Sequence, residues 1–147
     1  MYGPHQFPEK LIPKFINQLM RGRALTLHGD GTNTRNLFFV EDLARAFDII
    51  MHKGEIGHIY NIGGDNELAN VDVAKDLLRL MGKDAETETL LTFVPDRKFN
   101  DLRYTINSTK LHELGWKEQM TWEEGLLQTV EWYKNHTNRY GNISNKH

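Results

Sequence analysis

Gly29-Asp30-Gly31-Thr32-Asn33-Thr34-Arg35-Asn36-Leu37-Phe38-Phe39-Val40-Glu41-Asp42 is the stretch on which the fold class turns. A glycine turn leads through Arg35 into the strand-like run 36–40, which ends on two acidic residues that open a helical pattern over 41–53. Residues 24–28 form another short strand-like run, so the two strands are expected to meet in a hairpin-like connection around the glycines. Strands and helices alternating in this way make the chain α/β. Arg35 stands at the turn-to-strand junction, where a guanidinium fork can reach a pocket edge and match a diphosphate. The competing reading is a surface ion pair with Glu41 or Asp42.

Before the turn, Leu11, Ile12, Phe15, Ile16, Leu19 and Met20 recur as pairs within residues 8–21, a helical stripe closed by Gly22. After it, the helix over 41–53 is expected to bury Leu43, Phe47, Ile50 and Met51 and to end at Gly54. Residues 58–62 read as a strand running into Gly63-Gly64, a glycine pair that marks an ordinary turn sooner than a phosphate cradle. Asn70 has the chemistry of an N-cap for a helix over 71–81, stopped by Gly82. Further strands are expected at 91–94 and 103–106, and a helix at 108–114 ended by Gly115. Thr121 and Glu124 have capping-box spacing for a last helix whose face is Trp122, Leu126, Val130 and Tyr133, and the polar chain beyond 136 is expected to fray.

At 147 residues the chain matches one domain, large enough to bury about two-thirds of its unfolded surface. With 39% hydrophobic and 26% charged residues, it has no apolar run long enough to span a membrane and no secretory signal behind Met1. A membrane or secreted protein is not expected. Eighteen basic and twenty acidic residues are interspersed, net −2, which leaves no field of one sign to hold a nucleic acid. The absence of cysteine removes disulfides and thiolate chemistry and suits a cytoplasmic protein. Seven histidines include no His-Glu-x-x-His pattern, so no metal site is expected. Ser108 and Ser144 lie outside any Gly-x-Ser-x-Gly elbow, and the acid pairs Glu41-Asp42 and Glu123-Glu124 sit where a helix dipole favours them. Trp116, Trp122 and Trp132 are expected in the core.

A second arginine-bearing stretch, Asp96-Arg97-Lys98-Phe99-Asn100-Asp101-Leu102-Arg103-Tyr104, follows the strand-like run 91–94. Arg97 and Arg103 compete there for Asp96 and Asp101. Arg103 is read as the structural partner that holds the loop, and Arg97, nearer the strand end, as the ligand candidate.

In order along the chain, Tyr2-Gly3-Pro4-His5-Gln6-Phe7-Pro8-Glu9-Lys10-Leu11-Ile12-Pro13, the Arg35 stretch, Tyr60-Asn61-Ile62-Gly63-Gly64 and residues 96–104 resemble the nucleotide-sugar 4,6-dehydratases. These are extended short-chain dehydrogenase/reductases, typified by dTDP-glucose 4,6-dehydratase and its UDP-glucose relatives. The resemblance implies the carboxy-terminal part of a Rossmann-type fold, with mixed short strands and about five helices, lacking the amino-terminal dinucleotide-binding half. Residues 1–135 would be the substrate-binding portion and 136–147 a polar tail.

The family reaction oxidises the hexose at C4 with bound NAD, eliminates water across C5 and C6, and returns the hydride to C6. No Gly-x-x-Gly-x-x-Gly turn and no Tyr-x-x-x-Lys pair occurs in this chain, so neither a catalytic nor a cofactor-binding residue is named. NAD belongs to the full-length family and is not expected to bind this chain alone, which should be inactive by itself. By matching positions, the resemblance assigns Lys10 and Leu11 to the nucleotide end of the substrate, Thr26 and His28 to the side of the base, and Arg35 and Arg97 to the diphosphate. Asn70 would add a polar contact, in competition with its capping role. Where many dTDP-glucose enzymes have an aromatic residue, His28 stands here, and where they have glycine-histidine, Phe99-Asn100 stands. With Asn100 counted among the substrate contacts, the partner is a nucleotide sugar, UDP-glucose ahead of dTDP-glucose. The alternatives are a non-catalytic nucleotide-sugar-binding or interaction module, and a chain that self-associates or docks with a separate Rossmann-containing subunit.

Overall fold

Two sheets, not one hairpin, flank the glycine turn in the computed structural model, which describes residues 1–96, 98, 101–103 and 106–140. Strand β1 (Leu25–His28) pairs in parallel with β4 (Leu91–Val94), Leu25 opposite Leu91 and His28 opposite Val94. Strand β2 (Thr34–Leu37) pairs antiparallel with β3 (Asn66–Ala69), Arg35 opposite Leu68. The expected hairpin is therefore corrected. Gly29 and Gly31, at φ 61° and 76°, swing the chain out of the first sheet instead of folding it back. The Gly29 N–H donates to the Val94 carbonyl at 2.8 Å, and the Val71 N–H donates to the Gly31 carbonyl at 3.0 Å. The turn is thus tied to a neighbouring strand and to a helix start rather than to a hairpin partner.

Helix α1 (Leu11–Met20) buries the stripe its sequence announces, Ile12, Phe15, Ile16 and Leu19. This face meets Val73, Ala74, Leu77 and Leu78 of α3 (Asn70–Leu80), Leu25 and Leu27 of β1, and Leu126, Val130 and Tyr133 of α6 (Trp122–Asn135) in the main core. A smaller core gathers Ala46 of α2 (Val40–Lys53), Leu111 of α5 (Thr109–Glu113) and Trp116, with Ile49, Ile50 and Ile62 packed against it. A short 3-10 turn, Asp84–Glu86, and helix α4 (Thr87–Leu90) lead into β4. Trp116 and Trp122 are buried as expected, while Trp132 is only partly so.

The opening segment is laid down by backbone bonding: Tyr2 donates to the Phe38 carbonyl at 3.0 Å and accepts from Val40 N–H at 2.8 Å, a parallel bridge opposite Phe39. The Tyr2 hydroxyl donates to the Trp122 carbonyl at 3.3 Å, and a Cβ at Gly125 would stand 2.4 Å from that hydroxyl. Gly125 is a glycine inside a helix because Tyr2 needs the space.

Other expectations are corrected. Strand β2 runs two residues earlier than the aromatic run suggested, and Phe38 and Phe39 follow it as buried residues leading into α2. On α2 the fully enclosed residues are Asp42 and Ala46, while Phe47 and Met51 are 55% and 80% exposed. Residues 58–62 form no strand, and β3, which the sequence did not announce, takes the pairing with β2. Asn70 is the first helical residue of α3, with Ala69 at the N-cap position, so it is not the cap. The 103–106 strand falls partly outside the described residues. Residues 136–140 do not trail away: the His136 ring stacks on Trp132 and the Tyr140 hydroxyl donates to the His5 carbonyl at 3.0 Å.

Candidate functional site

Alternation along β1 turns Leu25 and Leu27 into the core and leaves Thr26 and His28 half-buried on the other face. The His28 Nδ1 is buried with no hydrogen-bond partner among the described residues, a polar atom that a ligand could satisfy. From His28 the turn runs through Asp30, whose carboxylate accepts from Thr32 Oγ1 at 2.6 Å and Thr32 N–H at 3.0 Å. Those bonds hold the Asp30 carboxyl below the usual carboxylate range and fix the turn. The Asn33 carbonyl then accepts from the Asn70 N–H at 3.1 Å. One turn therefore joins the end of β1, the start of β2 and the first residue of α3, and brings His28, Arg35 and Asn70 to a common corner.

Arg35 is half-buried, and its Nη1 donates to the carbonyls of Thr34 at 2.7 Å and Asp101 at 2.9 Å. The Asp101 carbonyl also takes the Asn33 side-chain amide at 3.4 Å, so the loop after β4 braces both. Asp42, one of the two acids in the competing reading, is otherwise engaged. Its fully buried carboxylate accepts from Arg45 Nη2 at 2.5 Å and from the N–H groups of Gln119 at 2.9 Å and Met120 at 3.2 Å. The Asp42 carbonyl accepts from Trp116 Nε1 at 2.9 Å. Sequence alone does not reveal this buried node, because its partners Trp116, Gln119 and Met120 lie far along the chain.

Arg103 is structural, but with a different partner from those expected. It bonds Glu67 of β3 bidentately, Nε to Oε1 at 2.5 Å and Nη2 to Oε2 at 2.8 Å, and Thr34 Oγ1 adds 2.9 Å. Arg103 and then Thr34 hold the Glu67 carboxyl below its ordinary range. Arg97 and Asn100 lie outside the described residues. Asp96, just before Arg97 in the chain, is placed, since a Cβ on Gly29 would stand 3.3 Å from Asp96 Oδ2. Lys10, exposed at the N-cap position of α1, and Leu11, its half-buried first residue, come from a third element and are not joined to the corner by the bonds described above.

Gly63-Gly64 is a packing device rather than the expected turn, lying in irregular extended chain before β3. The Gly63 N–H donates to Ser108 Oγ at 2.8 Å, Gly64 N–H donates to Asn36 Oδ1 at 2.7 Å, and the Asn36 amide donates back to the Gly64 carbonyl. A Cβ on Gly64 would fall 2.7 Å from Phe38 Cβ. Among the described residues no group of three or more His, Asp or Glu side chains is arranged to hold a metal, and no helix is long and apolar enough to cross a membrane.

An α/β chain with this arrangement is of the Rossmann-like, extended short-chain dehydrogenase/reductase kind, and residues 1–63 match the NAD dependent epimerase/dehydratase family. Over 144 residues the chain is 51% identical to the trifunctional UDP-glucose 4,6-dehydratase/UDP-4-keto-6-deoxy-D-glucose 3,5-epimerase/UDP-4-keto-L-rhamnose-reductase of Arabidopsis thaliana, covering 98% of this chain and 21% of the plant protein. It is 45% identical over 145 residues to the dTDP-D-glucose 4,6-dehydratase of Mus musculus, covering 97% of this chain and 41% of the mouse protein. The structure of a dTDP-glucose 4,6-dehydratase from Streptomyces venezuelae, solved with NAD bound, superposes with a TM-score of 0.87 at 40% identity, over 94% of this chain and 42% of that one. Over nearly its whole length the chain is thus similar to nucleotide-sugar 4,6-dehydratases. It spans about two-fifths of the length of the mouse and Streptomyces enzymes and about one-fifth of the plant protein.

Proposed function

We propose that this chain is the carboxy-terminal, substrate-holding part of a cytoplasmic nucleotide-sugar 4,6-dehydratase and supplies its grip on the nucleoside diphosphate. The observation that carries this reading is the corner at residues 29–33, where one hydrogen-bonded turn gathers His28, Arg35 and Asn70 from three elements. Arg35, and Arg97, which follows Asp96 in the sequence, hold the diphosphate, with Asn70 adding a polar contact. Thr26 and His28 flank the base, the buried Nδ1 of His28 being a group in search of a partner. Lys10, Leu11 and Asn100 complete the contacts, and the His28 and Phe99-Asn100 choices favour a uridine nucleotide over a thymidine one.

The chain's own residues do not fit NAD. They contain neither a Gly-x-x-Gly-x-x-Gly turn, whose amides would approach a pyrophosphate, nor a Tyr-x-x-x-Lys pair, and no hydride step is assigned to them. Calorimetry on the purified chain is expected to detect binding of UDP, weaker binding of dTDP and none of NAD. Each charged hydrogen bond to phosphate contributes about 1.5–3 kcal/mol, so Arg35→Ala should weaken UDP by at least about tenfold. Undiminished UDP binding by folded Arg35→Ala, or a 4-keto-6-deoxy product from UDP-glucose and NAD with this chain alone, overturns the proposal.

A second reading, pairing with a Rossmann-containing chain or with another copy of itself, has its own support in Phe47, Met51, Ile56 and Ile59, which are 55%, 80%, 103% and 78% exposed.

A further inference from the structure

The loop that carries Lys10 and Leu11 into α1 contains a backbone outlier. His5 has φ 64°, the positive value found at no other non-glycine position among the described residues. An L residue keeps that conformation only when its surroundings hold it. Two tyrosines from the far end of the chain do so. The Tyr140 hydroxyl donates to the His5 carbonyl at 3.0 Å, and the Tyr133 hydroxyl donates to the next carbonyl, that of Gln6. The His5 ring lies against Trp132, centroids 4.5 Å apart, and Trp132 is itself stacked by His136 at 4.5 Å, with the Arg139 guanidinium 5.8 Å from its centroid.

Inside the loop, Gln6 Nε2 donates to the Met1 carbonyl at 2.9 Å and the Lys10 N–H donates to the Phe7 carbonyl at 3.0 Å. The fastened carbonyls of His5 and Gln6 are thus followed, a few residues on, by the bonded N–H of Lys10 at the helix entry. Tyr133 is 2% exposed on the α6 face that packs into the main core, so its hydroxyl is fixed in space. Burial, and then Tyr140 beside it, push the Tyr133 phenol above its ordinary range, which keeps it a donor throughout the neutral pH range.

We propose that Tyr133 and Tyr140 are positioning residues that clasp the 3–8 loop and thereby set Lys10 and Leu11 against the nucleoside end of the ligand. The proposal rests on the nucleotide-grip reading above. It gives residues 136–140 a role in binding although they touch none of the assigned contacts.

The test uses Tyr133→Phe and Tyr140→Phe, which keep the rings and remove one donor each. Amide hydrogen exchange at Gln6 and Lys10 is expected to quicken in both variants. UDP affinity should fall by about three- to tenfold, the scale of one net hydrogen bond. Inorganic diphosphate, held by Arg35 and Arg97, should bind as to the parent chain, whereas a general loosening would weaken both ligands together. Unchanged exchange, equal losses for UDP and diphosphate, or faster exchange with unaltered UDP affinity each overturn the clasp. If the parent chain itself fails to bind UDP, the nucleotide-grip reading falls. The clasp is then decided by exchange: faster exchange at Gln6 and Lys10 upholds it as a loop fastener, and unchanged exchange ends it.

Discussion

The Glu118 carboxyl is partly buried and bonded through only one of its oxygens among the described residues. Oε2 accepts from the Asp65 N–H at 2.6 Å, but Oε1 is buried with no hydrogen-bond partner among the described residues. Desolvation, with further contributions from the charges of Asp65 and Asp42, raises its pKa above the ordinary 4.5, against the lowering effect of the Asp65 N–H bond and of His112. The native carboxyl therefore holds its proton more tightly than the unfolded chain does. Its contribution to stability is fully present below the ordinary value and is lost as pH rises through the raised native value. Glu118→Gln, which keeps an oxygen for Asp65, is expected to be more stable than the parent chain at neutral pH, the difference shrinking as pH falls towards the ordinary carboxylate range. Urea midpoints of both proteins measured across that range check it, and a difference independent of pH would contradict it. Such residues are poorly legible from sequence: Glu118 and Asp42 acquire their character from Asp65, Gln119 and Met120, partners a local pattern does not reveal. The place of Arg35 beside the turn was legible because a turn-to-strand junction is a local feature, whereas Arg103 was recognised as structural and matched to the wrong acids, Glu67 being 36 positions away.

At the scale of elements, α6 shows what local chemistry can settle. Thr121 Oγ1 accepts from Glu124 N–H at 3.3 Å, and the Glu124 carboxylate reaches back to Thr121 N–H at 3.4 Å, the reciprocal pair its spacing announced. Thr121→Ala removes the side-chain half of that box and should cost about 1 kcal/mol. The measurement is a lowered urea midpoint at unchanged slope, with Thr121→Ser close to the parent. The helical stripes of α1 and α3 were legible for the same reason, their periodicity being complete within the element. Strand pairing is different. β1 is completed by β4 some sixty positions away, and β2 by β3, so the glycine turn looked like a hairpin until those partners were in place. Asn70 was misread as a cap because Ala69, with no capping side chain, occupies that position at the end of β3.

Across the whole molecule, the main core is closed by α1, α3, α6 and β1, but α2 faces two ways. Asp42 and Ala46 point inward, while Ala44, Phe47 and Met51, at helical spacing, form an exposed line. Ile56 and Ile59 follow it, exposed on the chain beyond Gly54. Phe47 and Met51 are expected from sequence to be buried, because an apolar residue on a helix states only that a face wants covering, not whether the same chain covers it. Fully covering one such side chain contributes about 1.5–3 kcal/mol, so an isologous contact that repeats Phe47 and Met51 on two copies would supply a driving force to set against the entropic cost of association. The chain is therefore expected to sediment as a dimer or larger particle at high concentration. Phe47→Ser with Met51→Lys should yield a monomer whose unfolding midpoint is little changed, since neither side chain supports a core and surface substitutions usually shift stability by no more than about 0.5 kcal/mol. If the parent chain is strictly monomeric at the highest attainable concentration, the line is not a contact between copies, and the interaction reading loses its support. If the double variant is monomeric but unfolded, Phe47→Ser alone separates the two effects, because loss of association with an intact midpoint can come only from the surface.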